Sequence, residues 1–236
     1  DRYPVIYMQD GQNLFDPALA YAGVDWGMDE AVLALIQAGM VIAPIIVGVW
    51  NTAQRWREYM PQNAYERNLS QAAQAQFNAR SGGKPISDLY LRFLVEELKP
   101  AIDAGYRTRT GPEHTFIMGS SMGALLSLYG VLSYPRVFGG AGCLSTHWLA
   151  GGDGLIATMQ TMLPKPGSHR FYFDYGTLTL DSGYEPFQLK MDQGMQIAGY
   201  VRGVDWMTEK FEGAEHSEIS WRQRVHIPLK FLLDGR

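Results

Sequence analysis

One serine, one histidine and a short list of carboxylates in this chain have the types and spacing for acyl transfer. Ser121 stands at the centre of Gly119-Ser120-Ser121-Met122-Gly123. The apolar run Thr115-Phe-Ile-Met leads into it, and a run of small and apolar residues reaching Gly130 follows. Strand, tight turn and helix form the setting in which a Gly-x-Ser-x-Gly turn lifts a serine Oγ above the carboxyl edge of a sheet. Side chains at positions 119 and 123 would strike the neighbouring strand and helix, so glycine is required there. The Met122 N–H would then face a developing oxyanion from the positive end of the helix. Without this setting the five residues would read as an ordinary turn.

A serine hydroxyl becomes nucleophilic when a base removes its proton, and an acid on the far side of a histidine fixes the tautomer. The histidines are 114, 147, 169, 216 and 226. His114 and His169 precede expected strands, at the wrong edge of a sheet, and His226 lies inside the last helix. His147 follows a strand but comes before any candidate acid. His216, in Gly213-Ala-Glu-His-Ser after the last strand, completes the chain order serine, acid, histidine of α/β-hydrolases. Asp181, in the loop after the penultimate strand, is the favoured acid. Glu185 and Asp174 stand in reserve, and a plain helix cap is the alternative reading of Asp181.

The second oxyanion donor should come from the sharp turn Asp10-Gly11-Gln12 after the first strand, with the backbone N–H of Gln12 or a near neighbour beside that of Met122; a local cap by Asp10 is the plainer reading of this turn. Trp148 and Trp50 each end a strand near the same edge and could stack on a sugar or an aromatic acyl group, or simply pack at the rim. Arg55 and Arg57 could meet a carboxylate or a polar leaving group. A salt bridge from Arg57 to Glu58 or another nearby acid is the plainer reading.

The elements that must hold these residues alternate from end to end. Strands are expected over Tyr3–Met8, Ile42–Trp50 with its ladder starting near Ile45 after Pro44, the segment before Gly119, Phe138–Leu144, Arg170–Tyr175 and Trp206–Phe211. The near-continuous apolar run of the second suggests burial on both faces. Helices are expected over Trp26–Ala38, from a Ser87 cap with a kink or restart at Pro100, over Glu185–Tyr200, and over Glu218–Leu233. Residues 51–84 read as irregular, with a polar Gln/Asn/Ala-rich part. Alternation of this kind is the pattern of an α/β protein, a mostly parallel central sheet with helices on both faces, and its site forms at the carboxyl ends of the strands. Ser121, Asp181 and His216 all fall there.

The chain has 236 residues, 46% of them hydrophobic, and a net charge of -4. That suffices for a single domain over 1–236 with a sizeable core, and it gives no electrostatic basis for binding nucleic acid. The one cysteine, Cys143, sits in an apolar stretch and reads as a buried, inert thiol. No run of 18 or more apolar residues occurs, so no membrane span is expected. No His-Glu-x-x-His or other close ligand cluster points to a metal. The chain opens on Asp1 and enters a strand at once, so an upstream segment is expected. Compartment and oligomeric state stay open.

Four segments together resemble the family named Putative esterase, also called esterase D or feruloyl-esterase-like, of the α/β-hydrolase superfamily. They are Tyr7-Met-Gln-Asp10-Gly11-Gln12-Asn, Arg57-Glu58-Tyr59, Gly119-Ser-Ser121-Met-Gly123 and Gly213-Ala-Glu-His216-Ser. The resemblance runs from Tyr3 to Leu233. It implies the α/β-hydrolase fold and a serine carboxylic-ester hydrolase without cofactor or metal. It also implies a nucleophile at Ser121, an acid at Asp181, a base at His216 and an oxyanion donor at Gln12. A small-molecule or carbohydrate-linked ester is the expected substrate. An acyltransferase, or a silent binding protein on the same fold, is the alternative. Members of the family carry an amino-terminal strand pair before the Tyr-Pro-Val-Ile-Tyr segment, which this chain lacks. Either the chain is trimmed or a sheet edge is exposed.

Overall fold

The structure is a computed structural model that describes residues 1–234; the last two residues of the domain expected over 1–236 lie outside the described residues. Its strands are β1 (Val5–Gln9), β2 (Ile45–Val49), β3 (Thr115–Ser120), β4 (Gly140–Leu144), β5 (Arg170–Gly176) and β6 (Trp206–Phe211). They form one six-stranded sheet in the order β2-β1-β3-β4-β5-β6. Every pair is parallel, with Val5 opposite both Ile45 and Thr115, and Leu144 opposite both Ser120 and Asp174.

Side chains on a strand alternate between faces, and β1 shows the consequence. Val5 and Tyr7 join the core on one face, while Ile6 and Met8 join the core on the other. The first core is closed by α7 (Met122–Ser133), which is buried from Met122 to Leu132. A helix apolar on all sides is one wrapped by protein. Also against this face lie α3 (Gln62–Asn68), α5 (Ser87–Phe93), α8 (Gly152–Thr161) and α9 (Glu185–Ile197), which supply Tyr65, Leu91, Ile156 and Met191. The opposite face is covered by α1 (Met28–Gln37), α10 (Glu218–Arg224) and α11 (His226–Leu233), through Leu35, Trp221 and Leu229. Cys143 is free and buried within the sheet. Among the described residues no helix is long and apolar enough to cross a membrane.

Four expectations change. β2 is an edge strand, and all five of its residues are half-buried rather than buried on both faces. The stretch 51–84 is helical: α2 (Arg55–Tyr59), α3 and α4 (Gln71–Ser81) occupy it. Alanine, glutamine and arginine form helices readily, so low apolar periodicity there marks an exposed helix rather than a loop. Consistent with this, α4 buries none of its residues, and Ser70 caps it by accepting the Ala73 N–H at 3.2 Å. Ser87 does not cap its own helix; its hydroxyl accepts the Gln62 N–H at 2.9 Å, at the start of α3. The last helix breaks at Val225, because Pro228 in the first turn of α11 has no N–H to return to Arg224. Pro100 does restart a helix: a wider π turn over Leu94–Leu98 precedes α6 (Lys99–Gly105).

Candidate active site

Because all strands run the same way, the loops after β1, β3, β4, β5 and β6 meet at one edge. The turn after β3 is the tightest. Ser121 has φ 55° and ψ −121°, a conformation unfavourable to any residue with a Cβ. Its N–H donates to the Leu144 carbonyl at 2.9 Å, which ties the turn to β4. A Cβ at Gly119 would lie 2.8 Å from the Gly123 carbonyl carbon, so the elbow closes only with glycine there.

Two loops from the far side of the sheet reach Ser121. The His216 ring has Nε2 2.9 Å from Ser121 Oγ and Nδ1 2.5 Å from Asp181 Oδ1. The loops bearing Asp181 and His216 are sewn together: the His216 N–H donates to Thr179 Oγ1 at 2.8 Å, and the Thr177 and Leu178 amides each donate to the Ala214 carbonyl at 3.0 Å. Edge contacts from Tyr184 (5.7 Å between centroids) and Trp221 (5.0 Å) hold the imidazole on two sides.

Asp181 is buried, and burial pushes its carboxyl pKa up; hydrogen bonds from His216, the Ser145 hydroxyl and the Gly176 N–H outweigh this, and the net shift is downward. The reserve acids are engaged elsewhere. Asp174 lies within β5 and pairs with Arg224 at 2.9 Å, while Glu185 accepts from Tyr175 and Lys210. His114 stands beside Glu113, and His169 binds the Pro135 carbonyl, away from this edge.

The turn after β1 places Asp10 in the left-handed region at φ 56° and sends Gly11 against β2. A Cβ on Gly11 would lie 2.4 Å from the Gly48 carbonyl carbon, so this close approach needs glycine. The Asp10 side chain does not cap its own turn. It takes Nε and Nη2 of Arg55 at 2.7 Å each, and Asn51 Nδ2 at 2.6 Å. Among the described residues, neither the Gln12 nor the Met122 amide is engaged in a hydrogen bond within the fold.

The substrate-side residues divide. Trp148 is fully buried, with Nε1 donating to Gln188 Oε1 at 3.0 Å, so it is core and not a stacking surface. The apolar strand end that suggested a rim residue instead turns inward as a helical turn over Trp148–Ala150. Trp50 is 60% exposed, just past β2 at the carboxyl edge. Arg57 reaches away to the Lys84 carbonyl at 2.8 Å and to Gln54 at 2.6 Å. It makes no salt bridge to Glu58, which accepts instead from Thr52. The acid-binding arginine of this stretch is Arg55.

Residues left unassigned by sequence complete the site. The His147 N–H donates to the Ser121 carbonyl at 3.2 Å, and its Nδ1 lies 2.7 Å from the Tyr184 hydroxyl. Burial, with the neighbouring charges of His216 and Arg55, pushes the His147 pKa down to about 4, so this ring is neutral at pH 7. Trp56 meets the His147 ring edge-on at 6.0 Å. These two line a cleft of about 730 Å³ that runs between α4 and the turn after β4, past Leu69, Phe77, Leu149 and Ala150. The position of His147 and of Ser145 just past β4 was the available signal, since that loop ends at the same sheet edge.

The model of the family described as "Putative esterase" matches residues 1–225 of this chain. The chain belongs to that family. Among curated proteins this esterase-family chain is similar to the Uncharacterized protein YbbA of Bacillus subtilis (strain 168), 24% identical over 176 residues, 74% of this chain and 61% of that one. The chain therefore spans under two thirds of that relative. Among solved structures it is similar to an IroE-like serine hydrolase from Shewanella oneidensis, with TM-score 0.71 and 19% identity over 98% of this chain and 71% of that chain. It is also similar to a ferulic acid esterase, with TM-score 0.65 and 18% identity over 99% of this chain and 86% of the other. At these identities the likenesses carry the fold alone, a parallel sheet with helices on both faces.

Proposed function

We propose that this protein hydrolyses carboxylic esters through an acyl-enzyme formed on Ser121. The observation that carries the reading is the unbroken hydrogen-bonded line from Ser121 Oγ to His216 Nε2 at 2.9 Å and from His216 Nδ1 to Asp181 at 2.5 Å. Asp181, held ionised, accepts from Nδ1–H and leaves Nε2 as the base. His216 takes the Ser121 proton as Oγ attacks the ester carbonyl, then delivers it to the departing alkoxide. Water repeats the sequence on the acyl-enzyme.

The negative charge that gathers on the carbonyl oxygen needs donors already in place. The Met122 amide, at the positive end of the 12-residue α7, and the Gln12 amide serve here. Both are free of competing acceptors among the described residues. Asp10, gripped by Arg55, keeps the Gln12 turn in position.

The cleft beside His147 takes the acyl group. Trp56, Leu69, Phe77 and Leu149 offer it apolar and aromatic surface. Together with the likeness to a ferulic acid esterase, this supports an ester of an aromatic or short-chain acid, with exposed Trp50 a stacking surface for a sugar on the alcohol side. The test is labelling with a fluorophosphonate probe, followed by peptide mass spectrometry. The adduct is expected on Ser121 and on no other serine; an unlabelled folded protein, or an adduct elsewhere, would contradict the reading.

A further inference from the structure

We propose that Ser145 is a positioning residue for this reaction: its hydroxyl, backed by Arg224 and Trp221, locks the Asp181 carboxylate so that only Oδ1 is presented to His216. The inference rests on the Ser121–His216–Asp181 reading above.

Ser145 follows β4 and holds a left-handed backbone, φ 46°, in a fully buried position. Three polar groups converge on its Oγ: Asp181 Oδ2 at 2.6 Å, Trp221 Nε1 at 2.9 Å and Arg224 Nη2 at 2.8 Å. A hydroxyl has one proton and two lone pairs, and an indole N–H and a guanidinium can only donate. Trp221 and Arg224 therefore occupy the lone pairs, and the proton has one destination, Asp181. The hydroxyl has no alternative orientation.

The carboxylate is then fully specified. Oδ2 accepts from Ser145 and from the Gly176 N–H, both at 2.6 Å, which leaves Oδ1 for His216 Nδ1. Arg224 is held in turn by Asp174, through Nη2 at 2.9 Å and Nε at 3.2 Å, and Asp174 accepts the Ser145 N–H at 3.0 Å. Arg224 stands 3.9 Å from Asp181 Oδ2, so its charge acts on Asp181 both directly and through the polarised hydroxyl. Phe211 covers the guanidinium at 4.8 Å. Asp174 balances Arg224, and Asp181 keeps its own charge for the imidazolium that forms during the reaction.

The test compares wild type, Ser145→Ala and Ser145→Gly for kcat and KM on p-nitrophenyl acetate, for folding by circular dichroism, and for the far-downfield proton signal of His216 Nδ1–H. Glycine suits the left-handed backbone, so this variant is expected to fold even where alanine does not. We expect kcat to fall roughly tenfold, the scale of one charge-assisted hydrogen bond, with KM unchanged and the downfield signal moved. In wild type the same spectra should hold a slowly exchanging Ser145 hydroxyl proton. A folded variant with wild-type kcat and an unmoved signal, or wild type lacking the hydroxyl proton, would overturn the proposal. Ser121→Ala is measured alongside. Turnover in that variant would fail the functional reading itself, whereas inactive Ser121→Ala with wild-type-like Ser145 variants would fail the Ser145 assignment alone.

Discussion

Arg55 grips Asp10 with a bidentate fork, Nε and Nη2 each 2.7 Å from a carboxylate oxygen, across 45 residues of sequence. Asp10 precedes the Gly11-Gln12 turn, so this ion pair couples the helical stretch after β2 to the loop that carries a proposed oxyanion donor. The Asp10 side chain is 5% exposed, and without its partner it would be a nearly buried, unpaired charge. Arg55→Ala should lower kcat about tenfold and stability by about 2 kcal/mol, with KM little changed. Arg55→Lys should recover part of the stability but not the rate, because an ammonium cannot reproduce the fork. Steady-state kinetics and urea denaturation of both variants check this.

Ser121 is held at φ 55°, a strain of about 1–3 kcal/mol for a residue with a side chain. Ser121→Gly removes both the proposed nucleophile and the strain. The variant should be inactive yet more stable than wild type by about 1 kcal/mol in urea. A loss of stability would show that the serine side chain contributes more to the fold than its backbone costs.

His147 makes the fold acid-sensitive. Its folded pKa is pushed down to about 4 by burial and by its charged neighbours. An unfolded histidine titrates near 6.5. As pH falls between these values, the unfolded chain takes up a proton that the folded one refuses, so stability declines; below about 4 both states are protonated and the decline from this group ends. The contribution is at most about 3 kcal/mol. His147→Gln keeps a polar partner for Tyr184 and should lose that much less stability than wild type between pH 7 and pH 4, measured by denaturation at each pH.

Trp56 is 49% exposed and packs edge-on against His147 at the mouth of the cleft. Trp56→Ala removes one wall of the proposed acyl site. KM for an aromatic ester should rise about tenfold while that for an acetate ester stays the same, since stacking on a side chain is worth about 1–1.5 kcal/mol. Kinetics on methyl ferulate and p-nitrophenyl acetate separate the two.

Much of this site was legible because chemistry at a parallel sheet edge follows from topology. Gly119-x-Ser121-x-Gly123 carries its own steric reason, and the order serine, aspartate, histidine after β3, β5 and β6 brought Asp181 and His216 to the same edge. The strands were readable from their apolar runs, down to Pro44 before Ile45. What periodicity could not convey was which strand lies at the rim: β2 has an apolar sequence and an edge position. Nor could it separate an exposed polar helix from a loop, as α4 shows. Trp148 and Trp50 look alike in sequence, each ending a strand, yet one is core and the other exposed; the turn after β4, which no local pattern specifies, makes the difference. Ser145 was invisible for a related reason. Its role depends on Arg224 and Trp221, about 80 residues away, arriving on the same oxygen.

The most direct test of the account is hydrolysis of p-nitrophenyl esters from acetate to decanoate, with methyl ferulate and acetylated xylan, by wild type and Ser121→Ala in parallel. We expect turnover by wild type on at least one ester and none above background by the variant, with both proteins equally folded. Turnover surviving in Ser121→Ala, or a folded wild type that hydrolyses none of these esters, would contradict it.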